Sequence, residues 1–404
     1  MNRSKQTPSS LIENPRRLTI FALITLLVVY ASWLTYTILA DRPLDFYVYY
    51  LASETVARGN SPYTITDANW DALASELGIS NYTRPYRYPP QVAVLLLLFR
   101  SLGPRGTMAL WEIANAVAMI AGVWLIGKSL GHDRWVPFAL IVLLVSIPPF
   151  ATLLAGQVNG LLFLSLALAL WALVNRRTTW LGFALAMGTI LKVIPLALIL
   201  YLFWRKQWRA GLIASGILVV LTVACLPVMG WQALSDYAFK AILLGEPNEV
   251  STTATNQTLT AVLGRMFPFA PSFALDGGRW LGLGLVILTA ILCVPIGDAQ
   301  RLMPLEFALI VTALQLIPPF TWYHQLVLLL IPLLIVMQEL WNKKKLGWLS
   351  GLAILFVLFD LHGVAWHTLE QWWFLSSFPF LFGITLWGLL AWFIMKDKRQ
   401  YVAV

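Results

Sequence analysis

The sequence predicts an all-α polytopic membrane protein, and three observations carry that expectation. Hydrophobic residues make up 59% of the 404 positions and charged residues only 12%, about half the charged share of ordinary globular domains. Apolar runs of about 17 to 23 residues recur along the chain, each able to cross a hydrocarbon core of roughly 30 Å as a helix. Basic residues fall in short clusters between those runs: Arg16-Arg17, Arg176-Arg177, WRKQWR at 204–209, NKKK at 342–345 and KDKR at 396–399. That spacing reads the net charge of +9 as positive-inside topology and excludes nucleic acid as the partner.

Taken in order, the apolar runs and their breakers predict about twelve transmembrane or half-membrane helices. They cover residues 18–40, 89–102, 107–128, 136–153, 159–174, 180–203, 210–230, 280–297, 303–318, 322–341, 347–363 and 375–395. The first ends in Asp41-Arg42-Pro43 rather than in a small-residue cleavage site, so it is expected to stay as an anchor. The organisation is then a cytoplasmic tail (1–17), one transmembrane domain (18–395) and a second cytoplasmic tail (396–404). Segments 89–102 and 180–203 admit two readings. Either both cross, or the first dips in and returns while the second is two half-helices bent at Pro195; the distribution of basic residues favours the latter.

Both readings put the long connections 41–88 and 231–279 outside, together with PPFTWYHQ at 318–325 and HGVAWHTLEQWW at 362–373. A transporter would place its polar groups near the midplane of two similar halves, and no internal repeat is evident. Polar chemistry on one face fits an enzyme better. A lipid-linked glycan flippase is the alternative, and a non-catalytic assembly component a third. Cys225 and Cys293 lie inside apolar runs, where small core residues are expected, so neither a disulfide nor a metal site is read from them.

Asp45 is the most informative acid. It is either a solvated carboxylate within an aromatic belt or, with Arg58, Tyr63 and RPYRYPPQ at 84–91, part of a centre that holds a lipid phosphate and a sugar. Guanidinium groups match phosphate oxygens in a fork. Lys192 stands alone in an apolar stretch. A cation at the bilayer centre costs about 2.5 to 3.5 kcal/mol on insertion scales, so it is expected to reach an interface, a cavity or an anion. Gln157 and Asn159 in GQVNG either cap a turn or touch a ligand. Asn256 and Gln257 either cap a turn or recognise sugar. His324 starts a helix, as an interfacial residue or as part of a site. The sequons NYT and NQT are read as chance. His362 and His367 are five apart, off the spacing that puts two zinc ligands on one helix face; with Glu370, Trp372 and Trp373 they are read as the rim of a lipid or acceptor entrance.

DFYVYYLASETVARGNSPY at 45–63 resembles the Asp-Phe-x-x-Tyr-Tyr…Gly-x-x-Pro-Tyr signature of the family-87 glycosyltransferases, members of the GT-C superfamily. Similar pieces follow in the same order: YPPQVAVLLL at 88–97, GQVNGLL at 156–162, LKVIPLALILYL at 191–202, NQTL at 256–259 and WYHQLVLLLIPLL at 322–334. The resemblance covers about residues 20 to 340 and leaves the final two helices unmatched. It implies a GT-C fold with the active site formed by external loops. It also implies a polyprenyl-phosphate sugar donor, usually mannose, used with inversion on a lipid or glycan acceptor outside the cell membrane.

Within that resemblance Asp45 takes the place of the general base and His324 assists. Lys192, Arg87 and Arg58 are candidates for the leaving phosphate, which needs positive charge rather than an acid. Tyr49, Tyr63, Tyr88, Gln157, Asn159, Asn256, Gln257 and Trp322 are candidates for sugar or acceptor. Glu249 is a substitute base. The external loops carry no Asp-x-Asp motif, so neither a metal nor another cofactor is required by this sequence.

Overall fold

In the computed structural model the described residues are 15–41, 44–131, 134–239, 251–296 and 299–402. Among them the chain forms seventeen α-helices, and the all-α polytopic expectation holds. The first helix, α1 (Pro15–Leu39), is apolar all round. Its Ile20, Phe21 and Val28 point outward, which is stable only in an apolar surround.

The expected connection 41–88 is itself folded, into α2 (Leu44–Ala57) and α3 (Asp67–Glu76). Phe46, Tyr49 and Leu51 are fully buried. The rings flanking Asp45 thus pack a second core with Trp70 and Trp111 rather than forming an interfacial belt.

α4 (Pro90–Leu97) has eight residues, too few to cross at 1.5 Å each. After it Arg100 Nε donates to Glu54 Oε1 of α2 at 2.7 Å, and Arg105 Nε to Asp41 Oδ2 at 3.1 Å. The segment therefore turns back to the end from which it entered. From there α5 (Gly103–Ser129) runs the length of the bundle.

The crossing expected at 136–153 is broken into α6 (Trp135–Val145) and α7 (Ile147–Ala155), bent by 57°. Two prolines in the first turn of α7 suit a helix start, where an amide hydrogen has no intrahelical partner. After α8 (Asn159–Val174), α9 (Thr178–Leu191) stops where Lys192 turns extended, at φ −156° and ψ 135°, and α10 (Leu196–Trp204) begins beyond Pro195. Arg177 before α9 and Gln207 after α10 line one cavity. Of the two readings of 180–203, the half-helix pair is the one observed.

α11 (Trp208–Asp236) outlasts the expected 210–230, with a kink at Gly230 where φ is 73°. α12 (Leu259–Met266) and α13 (Pro271–Leu292) occupy much of the expected connection 231–279; Glu249 lies outside the described residues. α14 (Met303–Leu316), α15 (Leu330–Asn342), α16 (Leu346–Leu369) and α17 (Phe378–Val402) complete the bundle. Seven helical stretches are long and apolar enough to cross a membrane, eight if the bent α6–α7 pair counts as one span. The other apolar runs are short, broken or re-entrant.

Helix ends sort into two faces. At one, the Arg134 guanidinium lies 5.8 Å from the Trp341 ring, Lys343 pairs with Asp397 at 3.6 Å and Arg205 with fully buried Glu306 at 3.2 Å. Arg176, Lys206 and Lys344, just past the ends of α8, α10 and α15, hold φ of 55°, 57° and 53°. Glycine is the ordinary occupant of that left-handed position; a cation there meets the partial negative charge of the helix C-terminus. At the opposite face arginines are matched with acids: Arg58 with Glu76, Arg84 with Asp67 and Asp71, Arg100 with Glu54, Arg105 with Asp41.

Candidate active site

Asp45 occupies the first turn of α2, where the helix N-terminus favours a carboxylate. Its Oδ1 accepts from Thr83 Oγ1 at 2.6 Å and its Oδ2 from Gln157 Nε2 at 2.5 Å. The Gln157 carbonyl oxygen accepts from the hydroxyls of Tyr49 and Tyr88 at 3.0 and 3.1 Å. Two donors on that oxygen leave the amide nitrogen to face Asp45. Tyr49 and Tyr88 themselves meet edge to face at 4.5 Å.

The turn carrying Gln157 is built for this. α7 ends on Gly156 with φ 68°, a left-handed cap that glycine adopts without strain. Trp111 Nε1 donates to the Gly156 carbonyl at 2.9 Å. A Cβ on Gly160 would stand 2.6 Å from the Asn115 carbonyl oxygen, so α8 can approach α5 this closely only without a side chain. At the far end of α7, Asp360 of α16 accepts from Ile147 N at 2.8 Å and Ser146 Oγ at 3.2 Å, capping the helix.

His324 Nε2 stands 4.0 Å from Asp45 Oδ2, with the two side chains 13% and 18% exposed. Its Nδ1 meets Asn159 Nδ2 at 2.9 Å. With the Asn159 amide assigned as donor, the proton of a neutral ring sits on Nε2, the nitrogen turned towards Asp45. Lys192 Nζ donates to Gln325 Oε1 at 2.5 Å, and Gln325 Nε2 to Gln315 Oε1 at 3.1 Å. Lys192 feels the charge of Asp45, and His324 feels both. A carboxylate, an imidazole and an ammonium thus share one site, delivered by α2, by the 3-10 turn that opens the 323–342 stretch, and by the break between α9 and α10.

Several residues that the sequence offers as ligands fall elsewhere. Arg58 lies thirteen residues along the chain from Asp45, about 20 Å at the helical rise, and its guanidinium is spent on Glu76 in two bonds of 2.9 and 2.6 Å. Asn256 and Gln257 are fully buried. Asn256 Nδ2 donates to the carbonyls of Ser251 and Pro319, and its Oδ1 accepts from Thr321 N. Gln257 bonds Ala254, Ser376 and Phe380 backbone atoms. These amides staple the 251–258 loop to the chain just before Trp322 and His324. Tyr63 donates to the Tyr88 carbonyl at 2.8 Å, its ring between Tyr86 and Tyr237. Asp41 accepts from Tyr47 and Arg105, which engages both of its oxygens away from Asp45. His362, expected on an entrance rim, is buried beside the Tyr323 ring at 5.8 Å.

Arg87 is exposed and, among the described residues, has no carboxylate partner. Its guanidinium lies 6.0 Å from the Phe320 ring, which stacks on Trp322 at 5.7 Å. Thr83, Gln325, Gln315 and Asp360 were missed by sequence reasoning. Only Asp360 carried a signal, as an acid in an apolar helix, where ionisable groups are costly.

Fold and site together define a multi-pass helical membrane protein with a carboxylate–imidazole–ammonium centre near one end of its bundle. The family model of glycosyltransferase family 87 matches residues 86–319, and the chain belongs to that family. Gln157, Asn159 and Lys192 lie within the matched residues, His324 just beyond their end, and Asp45 well before their start.

The chain is 25% identical over 285 residues to a polyprenol-phosphate-mannose-dependent alpha-(1-2)-phosphatidylinositol mannoside mannosyltransferase of Mycobacterium tuberculosis, covering 65% of this chain and 64% of that one. It is 29% identical over 182 residues to GPI mannosyltransferase 1 of Aspergillus fumigatus, 43% of this chain and 38% of that one. It is 26% identical over 179 residues to an alpha-(1->3)-arabinofuranosyltransferase of Corynebacterium glutamicum, 42% of this chain and 41% of that one. The chain spans less than two thirds of the length of these curated relatives.

Proposed function

We propose that this protein transfers a hexose, mannose by preference, from a polyprenyl-phosphate donor to a hydroxyl of a lipid or glycan acceptor, with inversion. The observation that carries the reading is the Asp45 carboxylate, held by Thr83 and Gln157 and facing His324 Nε2 across 4.0 Å. One hydroxyl oxygen at about 2.8 Å from each atom spans that gap. His324 orients the oxygen through its Nε2 hydrogen and Asp45 takes its proton as the oxygen bonds to the anomeric carbon. The bond from that carbon to the phosphate oxygen breaks, and the electron pair leaves with the phosphate.

A single carboxylate acting as base, with attack opposite the leaving group, gives inversion. Lys192 and Arg87 supply the positive charge that a departing phosphate requires; Arg58 drops out of that role because Glu76 holds it at the far end of α2. Two relatives, a polyprenol-phosphate-mannose-dependent phosphatidylinositol mannoside mannosyltransferase and a GPI mannosyltransferase, favour mannose and a lipid-anchored acceptor. The single transmembrane domain spans 18–395, with its basic face and both tails in the cytoplasm by the positive-inside rule, so the centre opens externally.

Asp45→Asn keeps the shape and removes the basicity. With synthetic prenyl-phosphate mannose and a lipid extract from cells lacking the protein, transfer should fall about 10²- to 10⁴-fold. Mass spectrometry of the product identifies the acceptor. Turnover near wild type would eliminate Asp45 as the base.

A further inference from the structure

At the face opposite Asp45 a cavity of about 350 Å³ is lined by Arg176, Arg177 and Arg301 together with the amides of Gln207 and Gln300. Among the described residues that line it there is no Asp or Glu. Leu181 and Met303 supply an apolar wall. Three arginines lining one space with no acid among the described residues beside them, Gln207 turned towards Met303 Sδ at 4.0 Å, form a candidate anion site. Guanidinium groups match phosphate oxygens in pairs.

The depth of the cavity decides what kind of anion. Trp180, Trp204 and Trp208, on α9, α10 and α11 beside it, are 51%, 52% and 56% exposed, and outward tryptophans at helix ends mark the membrane–water boundary. A cavity of about 350 Å³ is within the ordinary size of small-ligand sites, roughly 300 to 1,000 Å³, and has room for a phosphodiester headgroup. We propose that this cavity binds the phosphate headgroup of an anionic membrane lipid, distinct from the donor at the Asp45 centre. The two sites sit at opposite ends of α9, whose first residue Thr178 lines the cavity and whose last precedes Lys192, about 20 Å away.

The test uses the full chain, purified in detergent, stripped of lipid and examined by native mass spectrometry with phosphatidylglycerol, phosphatidylcholine or inorganic pyrophosphate. One phosphatidylglycerol should be retained in preference to phosphatidylcholine. The triple variant Arg176→Gln, Arg177→Gln, Arg301→Gln should lose that retention at least tenfold, since each cation near a membrane surface contributes roughly a factor of five. Thermal melting in detergent verifies the fold of the triple variant; should it not fold, Arg301→Gln alone should weaken retention about fivefold. Equal retention of the two lipids, or retention unchanged by the substitutions, overturns the proposal. Protection by pyrophosphate with no lipid retained overturns the lipid assignment in favour of a soluble phosphate.

Discussion

Gln157 Nε2 donates to Asp45 Oδ2 at 2.5 Å across 112 residues of sequence. The same Gln157 accepts two tyrosine hydroxyls on its other side, so the carboxylate is aimed through a chain of bonds anchored in the α2 core. Gln157→Leu removes one of two donors to Asp45 and leaves both hydroxyls without their acceptor. A hydrogen bond to a charged group is worth about 1.5 to 3 kcal/mol, so kcat should fall roughly 10- to 100-fold with donor KM little changed. A matched rise in KM without loss of kcat would show that Gln157 binds sugar instead.

Lys192 and Arg87 should act on donor binding, and Arg58 should not. Lys192→Met removes the ammonium held by Gln325, the chain neighbour of His324, and should weaken affinity for prenyl-phosphate mannose by tenfold or more. Arg87→Ala should weaken it less, because an exposed cation is screened by water and salt. Arg58→Ala breaks only the Glu76 pair at the surface, so donor affinity should stay within twofold. Isothermal titration in detergent reads all three. Loss of affinity in Arg58→Ala alone would reverse the assignment.

Gly363 of α16 touches the site indirectly. A Cβ there would collide with the Tyr323 hydroxyl oxygen, whose own bond runs to the Phe359 carbonyl at 3.0 Å. Gly363→Ala must displace Tyr323, the neighbour of His324. Overpacking of this kind costs about 1 to 3 kcal/mol, so melting should drop by several degrees and turnover should fall with it. Tyr323→Leu in the same background removes the hydroxyl together with the ring carbons Cζ and Cε1, which the new Cβ would also meet at 2.5 and 2.6 Å, and should recover part of both; failure to recover either would mean that the ring does not transmit the strain.

The sequence by itself determined the class. Apolar runs and basic clusters dictate a helical membrane bundle, because in lipid every backbone polar group must bond within the chain. Asp45, Gln157, Lys192 and His324 were legible as polar residues interrupting apolar sequence, where an unpaired group is costly. Spacing could not rank Arg58 against Arg87, because both follow Asp45 on the same connection. The difference lies in partners, since Glu76 takes the first and no acid among the described residues takes the second.

Asn256 and Gln257 show the same limit from the other side, as amides that read as ligands to sugar yet are consumed by backbone carbonyls and amides brought near only by folding. The break at Lys192 was written in the chain, but its direction was not. Whether a bent helix crosses or returns depends on what its ends meet, and only the packed bundle sets Arg177 and Gln207 around one cavity and Lys192 on Gln325, next to His324.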